Sequence, residues 1–222
     1  MTGHPLDRPV WNCLTGPQAH LARREGQAVL FDPAIGPFAA CADGTAEGLA
    51  ARLDGPFWLV ETAEVAPSAG LILDRSAQLT QMVAESPVIG DIEAGLVPLG
   101  ENDADDMARL AHATQPGPWS SSTHRFGGFY GIRDGGELIA MAGTRMRPST
   151  RFAEVSGVCT APAARGRGLA RRLMMRVMAD MVARRETPFL HSYSANDGAI
   201  RLYRSLGFVE RRQMVVTILE AA

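Results

Sequence analysis

VCTAPAARGRGLARRLMMRVMADM, residues 158–181, is the stretch on which the reading of this chain turns. An apolar strand ends at Pro162, and Arg165, Gly166, Arg167, Gly168, Leu169 and Ala170 lead from it into a helix. Two glycines at such a turn let successive backbone N–H groups converge on an anion at the helix start, where the helix dipole also favours negative charge. A pyrophosphate fits a cradle of that kind. Behind the turn, Leu169, Leu173, Val177 and Met181 recur every fourth residue, and Ala170, Met174, Met178 and Val182 form the adjacent row. Those rows read as core. Arg171, Arg172, Arg176, Arg184 and Arg185 take the other face, either meeting further phosphates or simply facing solvent.

Similar turns open other nucleotide folds. The chain contains no lysine, so the P-loop lysine is missing, and the GxGxxG spacing of a dinucleotide turn is missing too. Working outward, AEVSGVCT (153–160) reads as a strand, PFLHSY (188–193) as a strand, DGAIRLYRSL (197–206) as a helix and MVVTIL (214–219) as a last strand. Upstream, FYGIRDGGELIAMAG (129–143) is a hairpin turning at Asp134, Gly135 and Gly136. VPLG (97–100) is a short strand, and Glu101, Asp103, Asp105 and Asp106 open a helix carrying Met107, Leu110 and Ala111. Residues 1–95 are rich in proline and glycine and read as a packed, irregular α/β extension, with a helix at 45–53 and strands at 57–60 and 70–73. Hairpins followed by strand, helix, strand, helix and strand imply a mixed α/β sheet. The expected division is an extension over 1–95, whether degenerate half-domain, lid or dimer arm, and a second domain over 96–222.

Composition bounds the rest. With 222 residues and 46% hydrophobic content the chain can bury a real core. Its formal net charge of −2 argues against a nucleic-acid partner held by phosphate neutralisation. Cys13, Cys41 and Cys159 are odd in number and lack metal-ligand spacing, so neither a disulfide framework nor a metal site is expected. No run of about 18 apolar residues occurs and no signal segment opens the chain, so a cytoplasmic protein without a membrane partner is expected.

RGRGLA resembles the (Q/R)xxGx(G/A) acyl-CoA signature of the GNAT superfamily of N-acetyltransferases, with Arg165, Gly168 and Ala170 on its defined positions. ANDGAIRLYRSLGF (195–208) is similar to that superfamily's second signature, NxxAxxLYxxxGF, on Asn196, Ala199, Leu202, Tyr203, Gly207 and Phe208. The resemblance covers residues 96–222 and leans toward members with an extra N-terminal segment, such as those like glycine N-acyltransferase. It implies a mostly antiparallel sheet flanked by helices, acetyl-CoA as acyl donor and an amine acceptor, small molecule, amino acid or peptide; a homodimer is left open. It also implies that the backbone from Arg165 to Ala170 holds the pyrophosphate, and that Val158, Cys159 and Thr160 bond the pantetheine arm beside a bulge that splays two central strands. Asn196 would contact the pantetheine or support the site.

Aminolysis of a thioester expels a thiolate that needs a proton, and the phenol of Tyr203, with an ordinary pKa of about 10, stays protonated to give one. The acceptor must lose a proton first, and Glu154, at the start of the strand, is the expected base, with His191 and Ser192 as an alternative that orders a water chain. The strand N–H near Val158 would serve the oxyanion. Trp119, His124, Arg125 and Phe126, with Trp58, are the expected acceptor pocket. Two other readings compete: a non-catalytic acyl-CoA sensor using the same cradle, and a nucleic-acid binder led by the arginine-rich helix, which the slight net acidity disfavours.

Overall fold

A computed structural model describes residues 3–49, 55–90 and 95–222. The chain begins with helix α1 (Pro9–Thr15), whose proline occupies the first turn where its missing N–H has no role. A small antiparallel sheet follows, β1 (Ala22–Glu25), β2 (Ala28–Phe31) and β3 (Ala39–Cys41). Next come β4 (Phe57–Glu61), β5 (Leu71–Val83), β6 (Val97–Leu99) and helix α2 (Ala104–Thr114). The hairpin is β7 (Phe129–Asp134) and β8 (Glu137–Thr144). The remainder alternates: β9 (Phe152–Thr160), α3 (Leu169–Ala183), β10 (Thr187–Tyr193), α4 (Asp197–Ser205) and β11 (Val209–Ala221).

The main sheet has eight strands in the order β4-β11-β5-β10-β9-β8-β7-β6, antiparallel except for β9 with β10. This is the mixed, mostly antiparallel sheet flanked by helices that the signatures implied. One face packs on α3 and α4 through Leu173, Met174, Val177, Met178, Leu190 and Phe208; the other packs on α1 and α2 through Leu14, Met107, Phe129, Phe189 and Met214. Each buried apolar side chain of α3 contributes about 1.5–3 kcal/mol, and the row Leu169, Leu173, Val177, Met181 is buried throughout, whereas Val182 is exposed. Among the described residues no helix is long and apolar enough to cross a membrane.

The N-terminal part differs most from the sequence reading. The strand expected at 70–73 runs on to Val83, because β11 lies alongside and supplies partners for a stretch, LDRSAQ, with no apolar alternation of its own, and β10 joins on the other side from Leu79 to Val83. β4 and β5 precede residue 95 yet pair with β11 and β10, so the main sheet runs across the expected division. Residues 45–49 form turns rather than the start of a helix, and 50–53 lie outside the described residues. α1 and β1–β3 carry no period strong enough to be read beforehand.

Candidate functional site

The site is a failure of pairing in the middle of the sheet. β9 and β10 run together only at Phe152↔Thr187, Ala153↔Pro188 and Glu154↔Phe189. Beyond that rung β9 follows β8 and β10 follows β5, so the two strands diverge and open a notch. Its cause is local. The register between β8 and β9 shifts between Met141/Cys159 and Gly143/Ser156, leaving one extra residue in β9. Gly157 has φ +62°, and a Cβ there would stand 2.8 Å from the Phe129 ring; only glycine fits both conditions. The extra residue also reverses the strand's faces, so that Val155 and Val158 both point toward α3 while Cys159 joins the opposite core.

The notch leads into a cavity of about 830 Å³. At one end lies the arginine-glycine turn. Gly166 and Gly168 have φ +77° and +73° with open space where a Cβ would stand. Gly168 precedes the first turn of α3, which has no side-chain cap. Its first N–H groups therefore have no partner within the helix, as an anion site requires. Arg165 and Arg171 line the cavity, while Arg167 reaches Asp134 at 3.5 Å. Arg176 donates to the Tyr130 hydroxyl at 2.9 Å and pairs with Asp180 at 2.7 Å, and Arg184 pairs with Glu186, so these two arginines serve the fold.

Val158, Cys159 and Thr160 form the wall of the notch. The N–H of Ala161 donates to Ile139 of β8 at 2.8 Å; strand alternation then turns the backbone groups of Thr160 and Val158 away from β8, toward the open side. Burial pushes the Cys159 thiol up to about 11, so the thiol lining the cavity stays protonated. On α4, Tyr203, Asn196, Ala199 and Leu202 face the same space. Burial raises the Tyr203 phenol above its ordinary value, which strengthens its hold on the proton. Asn196 caps α4 by accepting from the Ala199 N–H at 3.1 Å.

Glu154 is wholly buried and is not among the residues lining the cavity. Arg145 grips it with Nε to Oε2 and Nη2 to Oε1, both 2.9 Å, and His191 Nδ1 lies 2.9 Å from Oε1. Burial alone would raise this carboxyl; the Arg145 charge and hydrogen bonds, with the hydrogen bond from His191, outweigh it and hold the group well below the usual carboxylate range. The network continues beyond His191. Arg211 donates to Gln81 Oε1 at 2.7 Å, which fixes Gln81 Nε2 as the donor toward the Leu6 carbonyl at 2.8 Å and His191 Nε2 at 3.0 Å. With Nε2 accepting, His191 carries its hydrogen on Nδ1 and donates to Glu154.

The end of the cavity away from the turn is built from residues the sequence did not single out, Phe38, Val60, Leu79, Arg145, Met146 and Val216, joined by Trp58, which was expected in an acceptor pocket. They come from separate strands and the turns beside them and meet through the topology, with no motif to announce them. His124 and Arg125 instead bind Glu101, at 3.0 and 3.2 Å, and Phe126 packs edge-on against Phe31. Trp119 lines a smaller cavity of about 310 Å³ that shares Phe38, Trp58 and Pro118 with the main one. Among the described residues no cluster of His, Cys, Asp or Glu could hold a metal ion.

Residues 101–208 match the acetyltransferase (GNAT) family. The chain is 40% identical over 82 residues to the N-alpha-acetyltransferase RimI of Mycobacterium tuberculosis, a match covering 36% of this chain and 51%, about half, of that relative. A crystal structure from Novosphingobium aromaticivorans, described as a GNAT-family acetyltransferase, is 55% identical and superposes with a TM-score of 0.96, covering 99% of this chain and 100% of that one. A GCN5-related N-acetyltransferase from Kribbella flavida, at 18% identity and TM-score 0.59 over 96% of this chain and 93% of its own, shares the fold.

Proposed function

Because the chain belongs to the GNAT family of acetyltransferases, we propose that it transfers the acetyl group of acetyl-CoA directly to a primary amine. One observation carries the reading: a single cavity joins an uncapped helix N-terminus to an apolar chamber through a notch between two strands. The pyrophosphate would rest on the backbone of Arg165 to Ala170, with Arg165 and Arg171 beside it. The pantetheine arm would lie along the open edge of β9 at Val158 and Thr160, almost as an added strand. The acetyl carbonyl would then meet the Val158 N–H, a fixed donor for the charge that develops on its oxygen.

Tyr203 acts as the acid that protonates the departing thiolate. A protonated Cys159 is a poor nucleophile, which favours direct attack by the amine over an acyl-cysteine step. Glu154, clamped and buried, holds Arg145 and His191 in place rather than touching the amine. The acceptor's proton leaves to water held at Ser192 on the cavity wall, since Glu154 and Gln81 take both ring nitrogens of His191. The segment before residue 95 supplies the far wall of the acceptor chamber through Phe38, Trp58 and Val60. The name of the Mycobacterium tuberculosis relative makes an α-amine the first acceptor to try. Incubation with acetyl-CoA and a panel of amines tests the reading: mass spectrometry should find an N-acetyl product in equal amount to free CoA, and bound but unconsumed acetyl-CoA across the panel would refute it.

A further inference from the structure

Among the described residues, the acceptor chamber carries one charged group, Arg145, and its placement is specific. Arg145 leaves β8 with its backbone pinned on both sides: its N–H donates to the Glu154 carbonyl at 3.0 Å and its carbonyl accepts from Gln18 Nε2 at 3.0 Å. Its Nε and Nη2 are taken by Glu154, and its Cζ lies 4.6 Å from the centre of the Phe38 ring. Nη1 makes no hydrogen bond among the described residues. It points toward the loop at Gln115–Pro118, where a Cβ on Gly117 would stand 3.9 Å from it. Both the guanidinium and this loop line the cavity. A rigidly held guanidinium whose Nη1 donors are unspent can make a charge-assisted contact with a carboxylate.

The charge around it agrees. Among the described residues, no Asp or Glu lines the main cavity, and the adjoining one carries Glu25 together with Arg23, so neither presents an excess of negative charge to a basic acceptor. The surrounding walls are Phe38, Trp58, Val60, Leu79 and Val216, apolar and partly aromatic, and the adjoining cavity of about 310 Å³ begins where Phe38 meets Trp58 edge-on at 6.1 Å. A planar or apolar side chain has room there.

We propose that Arg145 anchors a carboxylate of the acceptor through Nη1, and that the acceptor is a free α-amino acid with an apolar or aromatic side chain, rather than a simple amine or a basic peptide. This rests on the acetyl-transfer reading above and narrows its acceptor. Glu154 thereby gains a role in specificity, because it fixes the guanidinium edge that faces the chamber.

The test compares phenylalanine with phenethylamine, its decarboxylated counterpart, and with a lysine-rich peptide, by acetyl-CoA-dependent CoA release. Phenylalanine should be favoured at least about tenfold in kcat/KM, the scale of one charge-assisted contact. Arg145→Lys, which keeps a charge for Glu154 but loses the fork, should erase that preference by raising the KM for phenylalanine, with melting used to confirm folding. Equal or better turnover of phenethylamine, or of the peptide, overturns the proposal. Should no amine be acetylated, the acetyl-transfer reading fails by itself. Calorimetry of N-acetylphenylalanine with the CoA-bound protein then judges the anchor: binding weakened about tenfold by Arg145→Lys upholds it, and no binding overturns it.

Discussion

His191 Nδ1 stands 2.9 Å from Glu154 Oε1 across the point where β9 and β10 part. The contact sits just beyond the last paired rung, so the strands that open the notch are also tied together behind it. Glu154 has no exposed surface, and its oxygens are engaged by Arg145 and His191.

A positioning role for Glu154 gives a kinetic expectation. Glu154→Gln keeps the shape and part of the hydrogen bonding, so kcat should fall by no more than about tenfold, against about 10²–10⁴ for loss of a general base. The pH–rate profile should keep its acidic limb. Disappearance of that limb in the variant would assign the base to Glu154 after all.

The same group shapes acid stability. A glutamate in the unfolded chain titrates near 4.3, and in the folded chain Glu154 is held well below that, despite burial, by Arg145 and His191. A depressed folded pKa means stability that is present above the unfolded value and is lost as pH falls below it. Urea unfolding should therefore show the wild-type advantage over Glu154→Gln to be full at pH 7 and to shrink steadily below about pH 4.5. A gap independent of pH would contradict the ion pair.

At the turn, Gly168 holds φ +73°, and a Cβ placed there would have nothing within 4 Å. Gly168→Ala therefore brings backbone strain of about 1–2 kcal/mol without a clash. Acetyl-CoA should bind about tenfold more weakly by calorimetry, since that strain disturbs the amides in the cradle. At saturating donor, kcat should persist.

Gly157 combines both difficulties, φ +62° and a Cβ contact of 2.8 Å with Phe129. Gly157→Ala should lose about 1–3 kcal/mol in denaturant unfolding. Because the bulge opens the notch, it should also impair acetyl-CoA binding, which a mutation that merely loosens the core would not do.

The residues proposed for the donor were legible in the sequence and few of those proposed for the acceptor were, for a physical reason. Phosphate binding needs contiguous backbone amides and left-handed glycines, so RGRGLA concentrates the requirement in one run, and Asn196 to Phe208 does likewise on α4. The proposed acceptor chamber is assembled from residues far apart in sequence, Phe38, Trp58, Leu79, Arg145 and Val216, each of which locally reads as ordinary core or surface. Glu154 was visible as a strand glutamate. Its partners were not, because Arg145 and His191 reach it only through sheet pairing and the crossover of α3. Likewise the polar first half of β5 becomes a strand only because β11 lies alongside it.

The most direct measurement of the central claim is CoA release at saturating acetyl-CoA and amine, compared between the wild type and Tyr203→Phe. The account predicts steady turnover in the wild type and a loss of about 10²–10⁴ in kcat for the variant, with acetyl-CoA affinity little changed. Binding of acetyl-CoA without turnover, or a Tyr203→Phe protein indistinguishable from wild type, would contradict it.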